Sequence, residues 1–576
     1  MFNPPQASDS LASNGSRPFS ATPVRRHSLS SDIAARFSDT IGWAPKGFHP
    51  ELLAIPTSEE PAPQLPQPNE SIQPVSQECR HHDSNAELWK ATLERAVKGI
   101  VSIKYTGLRS FDLFAAGNYT ATGFVVDRTN GIILSNRHII TPGPTSSKAL
   151  FNKYEEVSLV PIYFDPVHDF GFFKYDPAKI KYAEIEEIEL CPEAAKVGME
   201  IKICGNDAGE HGSIWGSTLA RLDRPAPYQN DFNTFYIQAA SGTTAGSSGS
   251  PVLDIFGRAV ALNVGGSTIS ASSFYLPLDR VVRALKLLQK GNPVPRGTLQ
   301  TEFIHVSYDE LKKLGLPDEI EREARQRNEN STGLLTVSAV LPEGPGSAAL
   351  QAGDIVVKCH HPAFGSPYIE NFNSLWEIID ETIGEIIALT VLRGKEEKVV
   401  EVKVQDLNLI IPDTFLEVGQ AIIHPVSYQI ARLFHLPCRG LFVAAAGMFN
   451  TSPHFLITQL DNRDVNSLED LIEIFQSIPD GKRVSMRYRR VGGWSEAFVM
   501  FIADNHFFPM ALFKRKDGLW ERKVLKPHQV IEPELKALDI GTEATWRARL
   551  RNCLVNVYCW TPYNLEVITS SSIPFM

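Results

Sequence analysis

The sequence predicts a mainly β chain in which an all-β unit is followed by two similar β/α modules. Three observations carry this. Between about residues 100 and 261, strand-length apolar segments alternate with turn residues, the pattern of a barrel or sandwich. "HVSYDELKKLGLP" (305–317) aligns without gaps on "PVSYQIARLFHLP" (425–437), an internal repeat. The 576 residues exceed what one hydrophobic core organises, so several domains are expected.

Residues 1–84 are rich in Pro, Ser, Asn and Gln without periodicity, and read as a disordered leader. Within it, "VRRHSLSS" (24–31) sets two arginines before serines, a phosphorylation or nuclear-import pattern too short to separate from a solvated tail. In "ELWKATLERAVKGIVSIKY" (87–105), Leu88, Leu93, Ala96 and Val97 fit a short helix, and Val101, Ile103 and Tyr105 alternate as a strand. Strands are then expected at "ATGFVVD", "GIILSN", "VSLVPIYFD", "FGFFKYD", "EIKICGN", "TFYIQAA" and "SPVLDIFGRAVALNVGG". "LDRVVRALKLLQ" (278–289) places Val281, Val282, Leu285 and Leu288 at helical spacing and closes this unit, 85–292. Each repeat copy leads into a strand ("GLLTVSAV", "GLFVAAAG"), a helix ("FNSLWEIID", "LEDLIEIFQ") and a closing strand ("IIALTVLR", "RVSMRYRR"), giving modules at 293–406 and 407–505. Residues 506–576 are expected to be a junction or the truncated start of a second half.

An apolar share of 43% and a charged share of 21% are ordinary for a soluble globular protein. A net charge of −10 argues against a nucleic-acid-binding surface. The longest apolar run, Leu441 to Phe449, is too short to span a bilayer, and the N-terminus lacks a secretory apolar core. Seven scattered cysteines form neither a disulfide framework nor a metal spacing, which points to a reducing compartment. No metal, cofactor, nucleic acid or membrane is expected.

"AGSSGSPV" (245–252) follows an apolar strand. Taken alone it favours an ordinary surface turn. His138 in "LSNRHII" and Asp169 in "DPVHDFGFFKYD" are, each alone, equally ordinary. All three in the order His, Asp, Ser inside one β unit match a chymotrypsin-like hydrolase, which needs a base, an acid that orients it, and a serine. Ser248 is then the nucleophile, with its own N–H and that of Gly246 as oxyanion donors. Ser247 and Ser250 are neighbouring decoys, as is His168, whose side chain should face away from that of Asp169.

At these residues the chain resembles a known family. "TGFVVDRTNGIILSNRHII", "DPVHDFGFFKYD" and "GSSGSPVLDIFGRAVALNVGGS" resemble the HtrA (DegP-type) serine proteases. "GPTSSKALFNKYEEVSLVPIYFDPVHDFGFFKYDP" and "ICGNDAGEHGSIWGSTLARLDRPAP" are similar to a fungal branch described as nuclear and pro-apoptotic, built from tandem protease–PDZ halves. The likeness runs from about 87 to about 505. It implies a chymotrypsin-like double β-barrel at 85–292, the triad His138, Asp169 and Ser248, and PDZ-like domains at 293–406 and 407–505. It also implies ATP-independent cleavage of unfolded or exposed polypeptides, in the nucleus with the cytoplasm as a second compartment. A homo-oligomer is left open. The competing reading is a catalytically silent scaffold that binds protein C-termini. In "ALNVGG", Asn263, Val264 and Gly265 are expected to pair with substrate backbone. Gly297 and Gly419 are the candidate carboxylate nests of the two modules. Past 505 the family continues into a degenerate second protease half, whereas "LRNCLVNVYCWTPYNLEVITSSSIPFM" shows no such continuation.

Overall fold

The computed structural model describes residues 78–526 except 207–211, 228–230, 241–245, 268–271, 494 and 505–506. The "VRRHSLSS" motif and the final residues lie outside the described residues. A helix, Glu78–Ala96, starts inside the span expected as leader. It docks through Thr92 and Arg95, which donate to the carbonyls of Ile255 and Phe256.

Six antiparallel strands follow: β1 (Ile100–Gly107), β2 (Gly117–Asp127), β3 (Ile132–Ser135), β4 (Thr145–Leu150), β5 (Glu156–Phe164) and β6 (Gly171–Lys174). They close into a barrel in the order β1-β2-β3-β6-β5-β4. Val101, Ile103, Ala121, Val125, Ile133 and Phe173 fill its interior. A second barrel closes as β10-β11-β12-β9-β8-β7. Its strands are β7 (Glu200–Gly205), β8 (Ser213–Pro225), β9 (Phe235–Ala239), β10 (Pro251–Leu253), β11 (Ala259–Ser267) and β12 (Ser272–Pro277). Closure resolves the choice between barrel and sandwich and removes exposed strand edges. Phe124, Leu134 and Phe172 meet Leu253, Leu262 and Leu276 in the seam between barrels, where the closing helix Asp279–Gln289 buries Val281, Ala284 and Leu285.

The first module is a five-stranded sheet in the order Thr301–Ser307, Gly333–Val340, Ile355–His360, Ile386–Arg393 and Glu396–Lys403. The helix Phe372–Glu381 packs on it and starts at a capping box, Asn371 with Ser374. The second module repeats this plan around the helix Leu468–Ser477, capped by Ser467 and Asp470. It differs at one edge. Thr414–Val418 folds back on Ala421–Pro425, and Met510–Lys516 with Leu519–Lys526 then extends the sheet. Residues 510–526, part of the span expected as junction, thus belong to the second module's sheet.

Phe415 is fully buried where that hairpin meets the first barrel, stacked on Phe513 at 4.5 Å and close to Trp520 at 4.9 Å and Phe111 at 6.2 Å. Phe415→Ala should cost about 3–5 kcal/mol, the usual range for a buried aromatic, read as a lowered urea midpoint. A loss below about 1 kcal/mol would mean that this cluster does not hold the hairpin to the barrel.

Candidate active site

The site lies where the two barrels face each other. β3 ends at Ser135, and a single helical turn, Arg137–Ile140, follows. Ile139 and Ile140 are buried in the first barrel, which turns His138 outward. Asn136 ties this turn to the loop before β6 by donating from Nδ2 to the carbonyl of Asp169, 2.9 Å away. Both carboxylate oxygens of Asp169 then serve His138: Oδ2 lies 2.7 Å from Nδ1 and Oδ1 accepts the backbone N–H at 3.0 Å. An ionised carboxylate only accepts, so Nδ1 carries the proton and Nε2 is the free base. The Asp169 side chain is 1% exposed and that of His138 is 26% exposed, a dry acid beside a reachable base. Burial alone would raise the Asp169 pKa. The adjacent His138 and the charge of Arg137 outweigh burial and hold it below the ordinary value.

The turn before β10 separates the three serines. Ser247 and Ser250 are buried, and Ser250 Oγ donates to the Ser247 carbonyl at 2.6 Å. Ser248 alone of the three is partly exposed. Its hydroxyl rests on the carbonyl of Val264 at 3.1 Å, and no His138–Ser248 hydrogen bond is formed among the described residues. The Ser248 carbonyl accepts from Thr122 N–H and the Gly246 carbonyl from Thr122 Oγ1, both at 2.9 Å. The N–H groups of Gly246 and Ser248 make no hydrogen bond among the described residues. Gly249 has φ 85°, and a Cβ there would lie 2.0 Å from the Thr122 carbonyl oxygen. Only glycine fits that close approach.

The residues expected to pair with substrate divide. Asn263 is fully buried and its backbone is used internally: its N–H donates to Ser250 and its carbonyl accepts from Gly249, both at 2.9 Å. The Val264 carbonyl holds the Ser248 hydroxyl. Gly265 lies past the last β10–β11 pair, opposite Phe274 of β12, and a Cβ there would meet nothing within 4 Å. The expected nests are put to other uses as well. Gly297 donates its N–H to Asp380 at 2.9 Å. Gly419, φ 51°, and Gln420, φ 62°, form the two-residue turn between Thr414–Val418 and Ala421–Pro425.

Sequence reading missed the layer beneath the site. His168 turns away from the cleft to Asp231, 2.9 Å from Nδ1. Asp231 also accepts the Asp169 N–H at 3.1 Å and the Tyr236 hydroxyl at 3.0 Å. Asp165 accepts the N–H groups of Val167 and His168 at 2.9 and 2.7 Å. Arg296 Nε lies 3.0 Å from Asp165, and Arg296 Nη1 lies 2.9 Å from Asp380 on the helix Phe372–Glu381. Arg280 and Arg283 complete the cluster on Asp380, and burial presses the Arg280 pKa down to about 10. Asp165 stands in "DPVHD", four residues before Asp169, a signal that could have marked it; Arg296 carried none.

Residues 121–262 match the model of a trypsin-like peptidase domain, and residues 409–481 that of a PDZ-like domain. "Protease Do-like 7" of Arabidopsis thaliana is 44% identical over 483 residues, covering 80% of this chain and 43% of that protein. "Pro-apoptotic serine protease NMA111" of Kluyveromyces lactis is 42% identical over 475 residues, covering 79% of this chain and 48% of that one. The chain belongs to the HtrA-type serine proteases. It spans about half the length of the curated relatives it matches. The solved "HtrA-type protease AlgW with tripeptide" aligns with a TM-score of 0.42 and 17% identity over 55% of this HtrA-type chain and 96% of the other.

Because its folded-state pKa is depressed, Asp169 stabilises this HtrA-type fold fully at neutral pH. That contribution persists down to the ordinary aspartate value of about 3.9 and is lost as pH falls through the lower folded value. Asp169→Asn should therefore have a lower urea midpoint than wild type at pH 7, and the gap should close only below about pH 4. A gap already closed at pH 5 would remove the His138–Asp169 contact from the stability of the native state.

Proposed function

We propose that the chain is a serine endopeptidase in which Ser248 is the nucleophile, His138 the general base and Asp169 the acid that orients it. The observation that carries this reading is the pairing of a base held through Nδ1 by a buried carboxylate with the one solvent-reaching serine of the glycine turn. Rotation about the Ser248 Cα–Cβ bond moves Oγ off the Val264 carbonyl toward His138. Nε2 then takes the hydroxyl proton as Oγ bonds to the peptide carbonyl carbon. The developing oxyanion meets the Gly246 and Ser248 N–H groups, each worth about 2.7–4 kcal/mol in comparable sites. His138 returns the proton to the leaving amine nitrogen as the C–N bond breaks. A water, deprotonated by the same Nε2, then attacks the acyl carbon, and His138 returns that proton to Ser248 Oγ as the C–Oγ bond breaks.

An extended polypeptide suits the stretch of β11 past its last β10 pair, where Gly265 puts no side chain in the way of an approaching backbone. Unfolded or exposed segments are accordingly the proposed substrates. The pro-apoptotic relatives support a role in controlled cell death, and the resemblance to their branch supports nuclear residence. The scaffold reading keeps one observation in its favour, the Ser248 hydroxyl parked on Val264.

Fluorophosphonate labelling followed by peptide mapping separates the two. The adduct should fall on Ser248 and disappear in Ser248→Ala and His138→Ala. Asp169→Asn should lower kcat on casein by about 10⁴-fold, because the tautomer is no longer fixed. An adduct on Ser250, or casein turnover by Ser248→Ala equal to wild type, overturns the assignment. A fluorescently tagged chain should concentrate in the nucleus, and a secreted or mitochondrial signal would refute that placement.

A further inference from the structure

The outer edge of the first module's sheet is filled by the protease unit itself. Among the described residues the strand Thr301–Ser307 has one strand neighbour, Gly333–Val340, and its Phe303 shares a core cluster with Phe372 and Trp376 of the helix Phe372–Glu381. Asn233, just before β9, sits on that edge. Its Oδ1 accepts the Phe303 N–H at 2.6 Å and its Nδ2 donates to the Thr301 carbonyl at 3.0 Å. One acceptor and one donor, offered to two residues of the strand spaced by two, is the pattern that the C=O and N–H of one residue in an added parallel strand would present. From the other side, Trp376 Nε1 on the helix donates to the Asn233 carbonyl at 3.1 Å. Phe235 enters the same groove, its ring 5.2 Å from that of His305 and 5.0 Å from that of Phe372, edge to face on both. Asn233 is 2% exposed and holds φ 55°, a left-handed conformation that its neighbours must enforce.

Two residues before Asn233 stands Asp231, whose carboxylate accepts the Asp169 N–H and the His168 ring. One short segment therefore has one end in the module and the other under the acid of the candidate triad.

We propose that the strand–helix groove of the first module is a receptor for the chain's own Asn233–Phe235 segment, and that Asn233 in this seat is a positioning residue for Asp169. The positional role rests on the triad reading above; the occupancy of the groove does not. An outside peptide reaches Thr301 and Phe303 only by displacing Asn233, and that displacement loosens Asp231 from the acid. The Gly297 N–H, already given to Asp380, fits a groove that is not waiting for a carboxylate.

The test uses the full chain with Asn233→Ala and with Trp376→Phe, which keeps an aromatic ring and removes the N–H that holds the Asn233 carbonyl. Amide hydrogen exchange at Phe303 and Asp169 is read beside casein kinetics. In Asn233→Ala both amides should exchange at least about tenfold faster, as expected when a hydrogen bond worth about 1.4 kcal/mol is lost. kcat should fall about tenfold with KM within twofold of wild type, because the bound substrate is untouched while the base is less well oriented. Trp376→Phe should move both amides and kcat in the same direction by a smaller factor, which decides the matter should Asn233→Ala fail to fold. Unchanged Phe303 exchange would show that Asn233 does not occupy the groove. Faster Phe303 exchange with unchanged Asp169 exchange would reduce the seat to packing and end the positioning role. A wild-type chain that takes no fluorophosphonate would sink the triad reading, while the exchange measurements still decide the occupancy.

Discussion

Arg296 is a fully buried guanidinium set between two buried carboxylates, and the placement of the site depends on it. Asp165 belongs to the loop that leads to Asp169, and Asp380 to the helix of the first module. A charge in that environment is tolerated only when paired, and removing one partner of such a pair typically costs about 3–5 kcal/mol. Asp165 and Asp380 hold the Arg296 pKa above its usual value against the opposing effect of burial. The linker at 294–297, the acid loop and the module helix are therefore constrained together. The module is not simply tethered to the barrels: Asn233, Phe235 and Trp376 lock a second seam a few residues away.

The site itself is built from a steric constraint and an electrostatic one. Sterically, Gly249 lets the serine turn press against β2, so that Ser247 and Ser250 are swallowed and Ser248 is left facing the cleft. Electrostatically, Asp169 is buried but has its charge answered on both oxygens by His138. The acid thus stays ionised where burial alone would neutralise it. The second module leans on the same loop, since Gln429 Nε2 donates to the Pro166 carbonyl at 2.8 Å and Tyr428 meets Phe232 at 5.6 Å. Both modules consequently bear on residues within a few positions of Asp169.

By itself the sequence determined whatever leaves a local signature. Apolar alternation marked most barrel strands, helical spacing marked Asp279–Gln289, and the gapless repeat marked two copies of one module. The order of His138, Asp169 and Ser248 marked a histidine and a buried aspartate that the fold joins, and the partly exposed serine of the turn before β10. Strands β4, β8 and β12 went unmarked: "TSSKAL" and "SIWGSTLARLDRP" are polar and largely solvent-facing, held by their neighbours' hydrogen bonds, while "SSFYLP" is largely buried and shows no alternation to read. Tertiary structure alone decided the rest. That Asn263 serves the serine turn, that Gly297 serves Asp380, and that Asp231 and Arg296 support the acid loop all depend on partners far apart in the chain. A buried carboxylate reads in sequence like any turn aspartate; only the fold supplies the distant donor that makes its burial affordable.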